Sequence, residues 1–287
     1  MSTESQNQQK SSYDAPALRK GIRLLELLCE SAHSLSVAEI SRRLDLNKHM
    51  VLRLLGTLSD EGWVVAEEGP AYRTSLVPLS HFSKPVARMD VSMAAEGPLE
   101  ELLDLTGETT YLSVCDKNRS VGIVVRQGRR DVQVIGRAGS RLFMHSCAPG
   151  KVLLAHAELE LFEQLAEEGF PSQAENTFCD PIELREELDE IVRLGYGVDN
   201  EEYLRGMLCL AAPVFDYTGR VVASIGITTL TLFHTFETML DEYVGPVTEA
   251  GRKVSVAMGY LGANGTNGTS SLSPDTAIVE DEEVISE

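Results

Sequence analysis

No stretch of the 287-residue chain approaches the run of about 18 apolar residues that a membrane-spanning helix needs, which excludes such a helix. The first fifteen residues, MSTESQNQQKSSYDA, are polar and lack the apolar segment of a secretory signal. Cysteine is sparse and odd in number: five thiols without metal-ligand spacing argue against a disulfide framework or a zinc ribbon. A reducing cytoplasm is the expected setting, with no metal and no cofactor. Basic residues are also short, 25 Lys and Arg against 44 Asp and Glu, and the formal net charge of −19 argues at first against a nucleic-acid partner. The deficit is uneven. Residues 15–85 carry a net +1, residues 86–261 carry −13 and residues 262–287 carry −6. Within 18–53, seven basic residues (Arg19, Lys20, Arg23, Arg42, Arg43, Lys48, Arg53) meet four acidic ones. A global pI near 4.7 therefore bears on solubility and says little about what the first part of the chain touches.

The length suits two domains, and the texture divides accordingly. Residues 1–14 and the acidic 262–287 read as disordered tails, too polar to order themselves. Residues 15–76 read as three short helices and a hairpin. The first helix places Leu18, Ile22, Leu25 and Cys29 on one stripe. A second opens at Ser36 with Glu39 three residues on, a capping box, and buries Val37, Ile40 and Leu44. A third is capped by Asn47 and stopped by Gly62, with Val51, Leu54, Leu55 and Leu58 inward and His49, Arg53, Gly56 and Asp60 outward. Two β-favouring stretches, 63–66 and 71–75, flank Glu67-Glu68-Gly69-Pro70. Three helices with a tight turn before the third, then a hairpin, are the order of a winged helix-turn-helix. Pro78 and Pro85 mark a boundary within a linker, 77–106, whose helix over 86–105 is expected to kink or divide at Gly97-Pro98. Residues 107–261 alternate strands (109–115, 121–127, 132–136, 207–215, 221–228) with helices (148–157, 159–168, 181–194, 236–260). The fold class is therefore α+β, an antiparallel sheet with flanking helices.

In a helix-turn-helix the third helix enters the DNA major groove. Here it offers Lys48, His49, Met50 and Arg53, with Arg53 suited to guanine and Lys48 to phosphate. Ser36, Arg42 and Arg43 of the second helix and Arg73 of the wing complete the expected contacts. Glu67-Glu68 at the wing tip has the wrong sign for phosphate. Strand alternation gives Met207, Cys209 and Ala211 one face, and Ser224, Gly226 and Thr228 one face of the next strand, which leaves room for a small ligand or for a packed helix. Asp199-Asn200-Glu201-Glu202 reads as a solvated turn rather than a metal site. Enzyme motifs fail: Gly150-Lys151 is not a P-loop, no G-x-S-x-G exists, and His145-Ser146-Cys147 is adjacency rather than a triad. Cys209 inside an apolar strand leaves open a competing class, a thiol redox enzyme.

Two segments, RLFMHSCAPGKVLLA (141–155) and GYGVDNEEYLRGMLCLAAPVFDYTGRVVASIG (195–226), together with EISRRLDLNKHMVLRLLGTLSDEGW, resemble the IclR family of bacterial transcriptional regulators. The resemblance covers roughly 17–260. It implies a winged helix-turn-helix, a linker helix and a GAF-like effector domain, in a homodimer or dimer of dimers on a palindromic operator. It also implies a small organic acid bound by Leu142, Ala148, Pro149, Asp199, Met207, Cys209, Gly226 and Thr228. Two departures bear on that ligand. Pro149 has no backbone N–H for an anion, and Gly226 stands where a serine commonly supplies a hydroxyl.

Overall fold

The computed structural model describes residues 15–67, 69–78, 81 and 90–262. The expected tails (1–14 and all but the first residue of 262–287), Glu68 at the wing tip and Pro85 at the boundary lie outside them. The chain divides into two compact units between Met89 and Asp90.

In the first unit, α1 (Pro16–Glu30), α2 (Val37–Leu44) and α3 (Lys48–Asp60) pack on a small sheet of β1 (Leu35–Ser36), β2 (Val64–Ala66) and β3 (Ala71–Thr74), in the order β1-β3-β2. The capping box at Ser36 forms as the sequence predicts. Ser36 Oγ accepts from the Glu39 N–H at 3.3 Å, and the Ser36 N–H donates to the Glu39 carboxylate at 2.9 Å. Asn47 caps α3 by accepting from the Met50 N–H at 2.9 Å. Leu24, Leu28, Leu35, Ile40, Val51, Leu55 and Val64 form the core. The stripe expected on α1 is displaced: Leu24 and Leu28 are buried, while Leu18, Ile22 and Cys29 are exposed. Both stripes have helical spacing, so periodicity alone does not choose between them; the face that meets α2 and α3 does.

The second unit opens with α4 (Val91–Thr106), which runs through Gly97-Pro98 without dividing. Pro98 removes only the hydrogen bond to the Ala94 carbonyl. Buried Ala95, Leu99, Leu102 and Leu103 hold the helix against the sheet on either side of that gap. The sheet comprises β4 (Thr109–Asp116), β5 (Arg119–Arg126), β6 (Arg141–Phe143), β7 (Gly197–Asn200), β8 (Met207–Phe215) and β9 (Val221–Leu230). Its order is β6-β5-β4-β9-β8-β7, with every pairing antiparallel. Residues 132–136 are not a strand. Their backbone is tied instead by side chains, with Thr109 Oγ1 donating to Val134 O at 2.7 Å and Gln127 Nε2 donating to Gly136 O at 2.7 Å. The segment 127–140 thus crosses beside the sheet rather than extending it, and β6 supplies the edge.

After a single 3-10 turn at Met144–Ser146 come α5 (Ala148–Ala155), α6 (Leu159–Glu168) and α7 (Pro181–Leu194); α8 (Phe236–Ala257) closes the unit. α4 and α8 cover one face of the sheet and α5 the other, with α7 packed on α5. This explains why eight of the nine residues of β8 are buried, with no alternation along the strand.

Candidate functional site

The first unit presents a charged face. Val51 and Leu55 point inward, so at about 100° per residue His49, Arg53 and Gly56 must point outward, and all three are exposed, as are Lys48 and Asp60. Met50 is half-buried. Arg42 and Arg43 are exposed at the end of α2, and Ser36 is held in its capping box. Arg73 is not free: its Nε donates to Glu67 Oε1 at 2.5 Å, and Ser34 Oγ donates to Glu67 Oε2 at 2.6 Å. These two bonds hold the Glu67 carboxyl below its ordinary range. Of the two wing-tip carboxylates that sequence reading set against phosphate, Glu67 is paired with the wing's own arginine.

In the second unit a cavity of about 190 Å³ opens between the sheet, the start of α5 and the segment 127–140. Its walls include Leu142, Pro149, Asp199, Met207, Cys209 and Thr228, six of the eight residues singled out from sequence. Strand register brings them together: Asp199 pairs with Cys209, and Cys209 with Thr228, across three adjacent strands. Ala148 and Gly226 are not in the wall. Ala148 is buried at the start of α5. A Cβ on Gly226 would overlap the Leu210 carbonyl oxygen and lie 2.8 Å from the Tyr111 hydroxyl. That hydroxyl, donating to Leu210 O at 3.2 Å, fills the space a larger residue at 226 would take, so Gly226 does not enlarge the cavity.

Sequence reading missed Tyr111, Ser120 and Arg137, all in the wall. Thr109, Tyr111 and Ser113 follow one another at the two-residue spacing of one strand face, and that was the available signal. Ser120 and the exposed Arg137 carry no comparable pattern.

The acidic run at 199–202 is not a solvated turn. Asp199 is fully buried and Glu202 nearly so. Asp199 Oδ1 accepts from the N–H groups of Glu202 at 2.7 Å and Tyr203 at 3.3 Å. Glu202 lies 2.6 Å from the Nζ of Lys151, itself fully buried on α5, and Lys151 also donates to Glu187 of α7 at 2.8 Å. Lys151 packs over the Phe178 ring. Burial is the largest influence on both carboxyls and outweighs the ammonium, lifting Asp199 to about 6 and Glu202 to about 7. Burial likewise pushes the Cys147 thiol up to about 12 and Cys209 well above its ordinary value. A nucleophilic cysteine needs the opposite shift. Among the described residues, no group of three or more His, Cys, Asp or Glu side chains is arranged to hold a metal ion. No helix among them is long and apolar enough to cross a membrane.

Comparison with known proteins supports both units. Residues 17–68 match the IclR helix-turn-helix domain, and residues 83–256 match the IclR C-terminal domain of bacterial transcriptional regulators. The chain is 33% identical over 239 residues to the transcriptional regulator KdgR of Escherichia coli K12, covering 83% of this chain and 90% of that one. It is 32% identical over 248 residues to the regulator XynR of the same organism, covering 85% and 97%. Among solved structures, it matches the repressor BlcR of Agrobacterium tumefaciens with a TM-score of 0.71 at 26% identity, covering 86% of this chain and 98% of that one. HmgR of Pseudomonas aeruginosa matches with 0.73 at 26% identity, covering 86% and 100%. The chain belongs to the IclR family of bacterial transcriptional regulators, with an N-terminal helix-turn-helix that binds DNA and a C-terminal domain that binds an effector.

Proposed function

We propose that α3 reads operator bases through Arg53, with His49 and Met50 beside it, while Lys48, Arg42, Arg43 and Arg73 hold phosphates and Ser36 fixes the start of α2. The observation that carries this reading is the clean separation of α3 into a buried Val51/Leu55 face and an exposed His49/Arg53 face. Arg73 exchanges Glu67 for phosphate on binding. The protein acts as a homodimer on a palindromic operator, with two copies of α3 entering successive major grooves about 34–36 Å apart. The exposed Leu18 and Ile22 of α1, unused by the packing of their own unit, support association with a second copy. Sedimentation reads whether the homodimer pairs further into a dimer of dimers.

The cavity of the second unit takes a small organic acid or related metabolite through Leu142, Pro149, Asp199, Met207, Cys209 and Thr228. Binding there shifts operator affinity by the several-fold to hundred-fold typical of such coupling, about 1–3 kcal/mol. The chain works in the cytoplasm and catalyses nothing; the raised thiols of Cys147 and Cys209 support that over a redox role. A gel-shift titration at fixed salt, with random competitor, on the chain's own neighbouring intergenic DNA tests the DNA half. Wild type should bind specifically, and Arg53→Ala should lose about 1–3 kcal/mol of that preference. Equal affinity of wild type for operator fragments and random DNA across the genome would refute it.

A further inference from the structure

Several polar side chains in the cavity wall are satisfied within the fold. Thr109 Oγ1 donates to Val134 O, the Tyr111 hydroxyl to Leu210 O and Cys147 Sγ to Phe143 O, and Cys209 Sγ lies 3.4 Å from Thr228 Oγ1. Two lining oxygens do not fit this pattern. Ser120 Oγ and Asp199 Oδ2 are buried without a hydrogen-bond partner. Cys209, paired with Asp199 across the strands, offers it only a thiol, a weak donor. Buried polar groups in native proteins normally find a partner, so these two atoms call for a ligand that brings one. At the exposed side of the same cavity, the Arg137 guanidinium makes no ion pair or hydrogen bond among the described residues. The nearby ammonium of Lys151 is already taken by Glu187 and Glu202.

We propose that the effector is a small hydroxy acid bound with its hydroxyl end inward, donating to Asp199 Oδ2 and meeting Ser120 Oγ, and with its carboxylate outward on Arg137. This rests on the reading of the cavity as the effector site. The orientation follows from charge. An inward carboxylate would face the Asp199 carboxylate in a water-poor wall, where like charges repel strongly. Few donors are there to compensate it: Pro149 has no N–H, and the Thr228 hydroxyl is already paired with Cys209 Sγ. Asp199, lifted by burial to about 6, remains mostly ionised at neutral pH and so accepts rather than donates. An inward ammonium carries three N–H donors and would find only Asp199 Oδ2 and Ser120 Oγ without partners there.

Calorimetry on the full chain tests this with two matched sets: glycerate, propionate, glycerol and alanine, and gluconate, hexanoate, glucitol and 2-aminohexanoate. In at least one set the hydroxy acid should bind about tenfold or more tightly than the other three, because a site built around a substrate hydroxyl rejects the analogue that lacks it. Arg137→Ala, at an exposed position, should weaken the hydroxy acid by about tenfold and leave the polyol unchanged, since Arg137 meets only the carboxylate. Asp199→Asn keeps an oxygen for the Glu202 and Tyr203 N–H groups but turns an amide donor inward, and should weaken both. If Asp199→Asn misfolds, Arg137→Ala with Ser120→Ala carries the test.

The proposal is overturned if neither hydroxy acid binds, if the unhydroxylated or amino acid binds as well, or if Arg137→Ala has no effect. Leu142→Trp, which fills the cavity, separates the two levels. An unhydroxylated acid lost in that variant leaves the effector site standing and removes only the hydroxy-acid class. Binding that survives Leu142→Trp lies elsewhere and removes the site itself.

Discussion

Replacing Lys151 by methionine should destabilise the effector unit heavily, and the loss should depend on pH in an unusual direction. Lys151 is fully buried, and its ammonium lies 2.6 Å from Glu202, which is nearly as deeply buried. Methionine keeps most of the packing volume and removes the charge, so the Glu202 carboxylate is left in a low-dielectric interior without its counter-ion. Breaking one partner of a buried pair typically costs about 3–5 kcal/mol. For a unit of this size that corresponds to a fall in Tm of roughly 6–20 °C. Glu202 can escape the penalty by taking a proton, and in the intact protein burial already lifts it to about 7, with Asp199 beside it at about 6. Both carboxyls hold protons more firmly folded than unfolded. Their contribution to stability is therefore present at low pH and lost as pH rises through 6–7. The distance between an ordinary glutamate and one near 7 is worth about 3 kcal/mol. Thermal unfolding of Lys151→Met should show its largest loss near pH 8 and a clearly smaller one near pH 6. Lys151→Met/Glu202→Gln should recover much of that loss at pH 8, because the orphaned charge is gone. A single variant within about 1 kcal/mol of wild type at pH 8, or one whose loss neither acid nor the second substitution relieves, would refute the reasoning.

In the intact protein the same two carboxyls should make the effector unit more stable at pH 6 than at pH 8, read as a higher Tm; the reverse trend would show that both stay charged. Gly226→Ser should fail to fold or lose several kcal/mol, about 3 or more, because its Cβ meets the Leu210 carbonyl oxygen, and trimming Tyr111 to phenylalanine should not rescue it. Ser36→Ala removes the reciprocal cap of α2 and should cost the DNA-binding unit about 0.5–2 kcal/mol in urea unfolding. Iodoacetamide at neutral pH should label the exposed Cys29, Cys115 and Cys179 in the native state and spare the buried Cys147 and Cys209. Rapid labelling of Cys209 would reopen the redox reading.

The first unit was legible because its signals are local. A capping box, an asparagine cap and a 3.6-residue apolar stripe act within single helices, and both caps form where the sequence places them. α1 shows the limit of that logic: Leu18/Ile22 and Leu24/Leu28 are equally good stripes, and only the packing partners decide which is buried. In the second unit the strand pair 207–215 and 221–228 was readable from its β-favouring residues and short turn, although the second strand runs on to Leu230. The edge strands β6 and β7 were not, because three or four residues paired on one side leave no period to see. Residues 132–136 misled for the converse reason. Val132, Val134 and Ile135 favour strands, but Gly128, Gly136 and Gly139 let the backbone bend across the cavity, and side chains rather than a ladder take its carbonyls.

The acidic run at 199–202 is the instructive case. Four polar residues in a row read as surface, and nothing local says otherwise. Two of the four, Asp199 and Glu202, are buried, and the partner of Glu202 is a lysine about fifty positions upstream on α5, next to Gly150, where a Cβ would lie 2.5 Å from Met144 O. Lys151 joins α5 to α7 through Glu187 and to the turn after β7 through Glu202. That turn is in turn held by Asp199, a wall of the cavity. An apolar residue at 151 paired with an apolar residue at 202 would be as stable or more so, since buried ion pairs rarely repay their desolvation. It would not fix the direction of the Asp199 carboxylate, because greasy contacts slide where charge-assisted hydrogen bonds have one geometry. The charged hub therefore contributes placement rather than stability: it holds one carboxylate oxygen toward the backbone of its own turn and leaves the other unpartnered at the cavity wall.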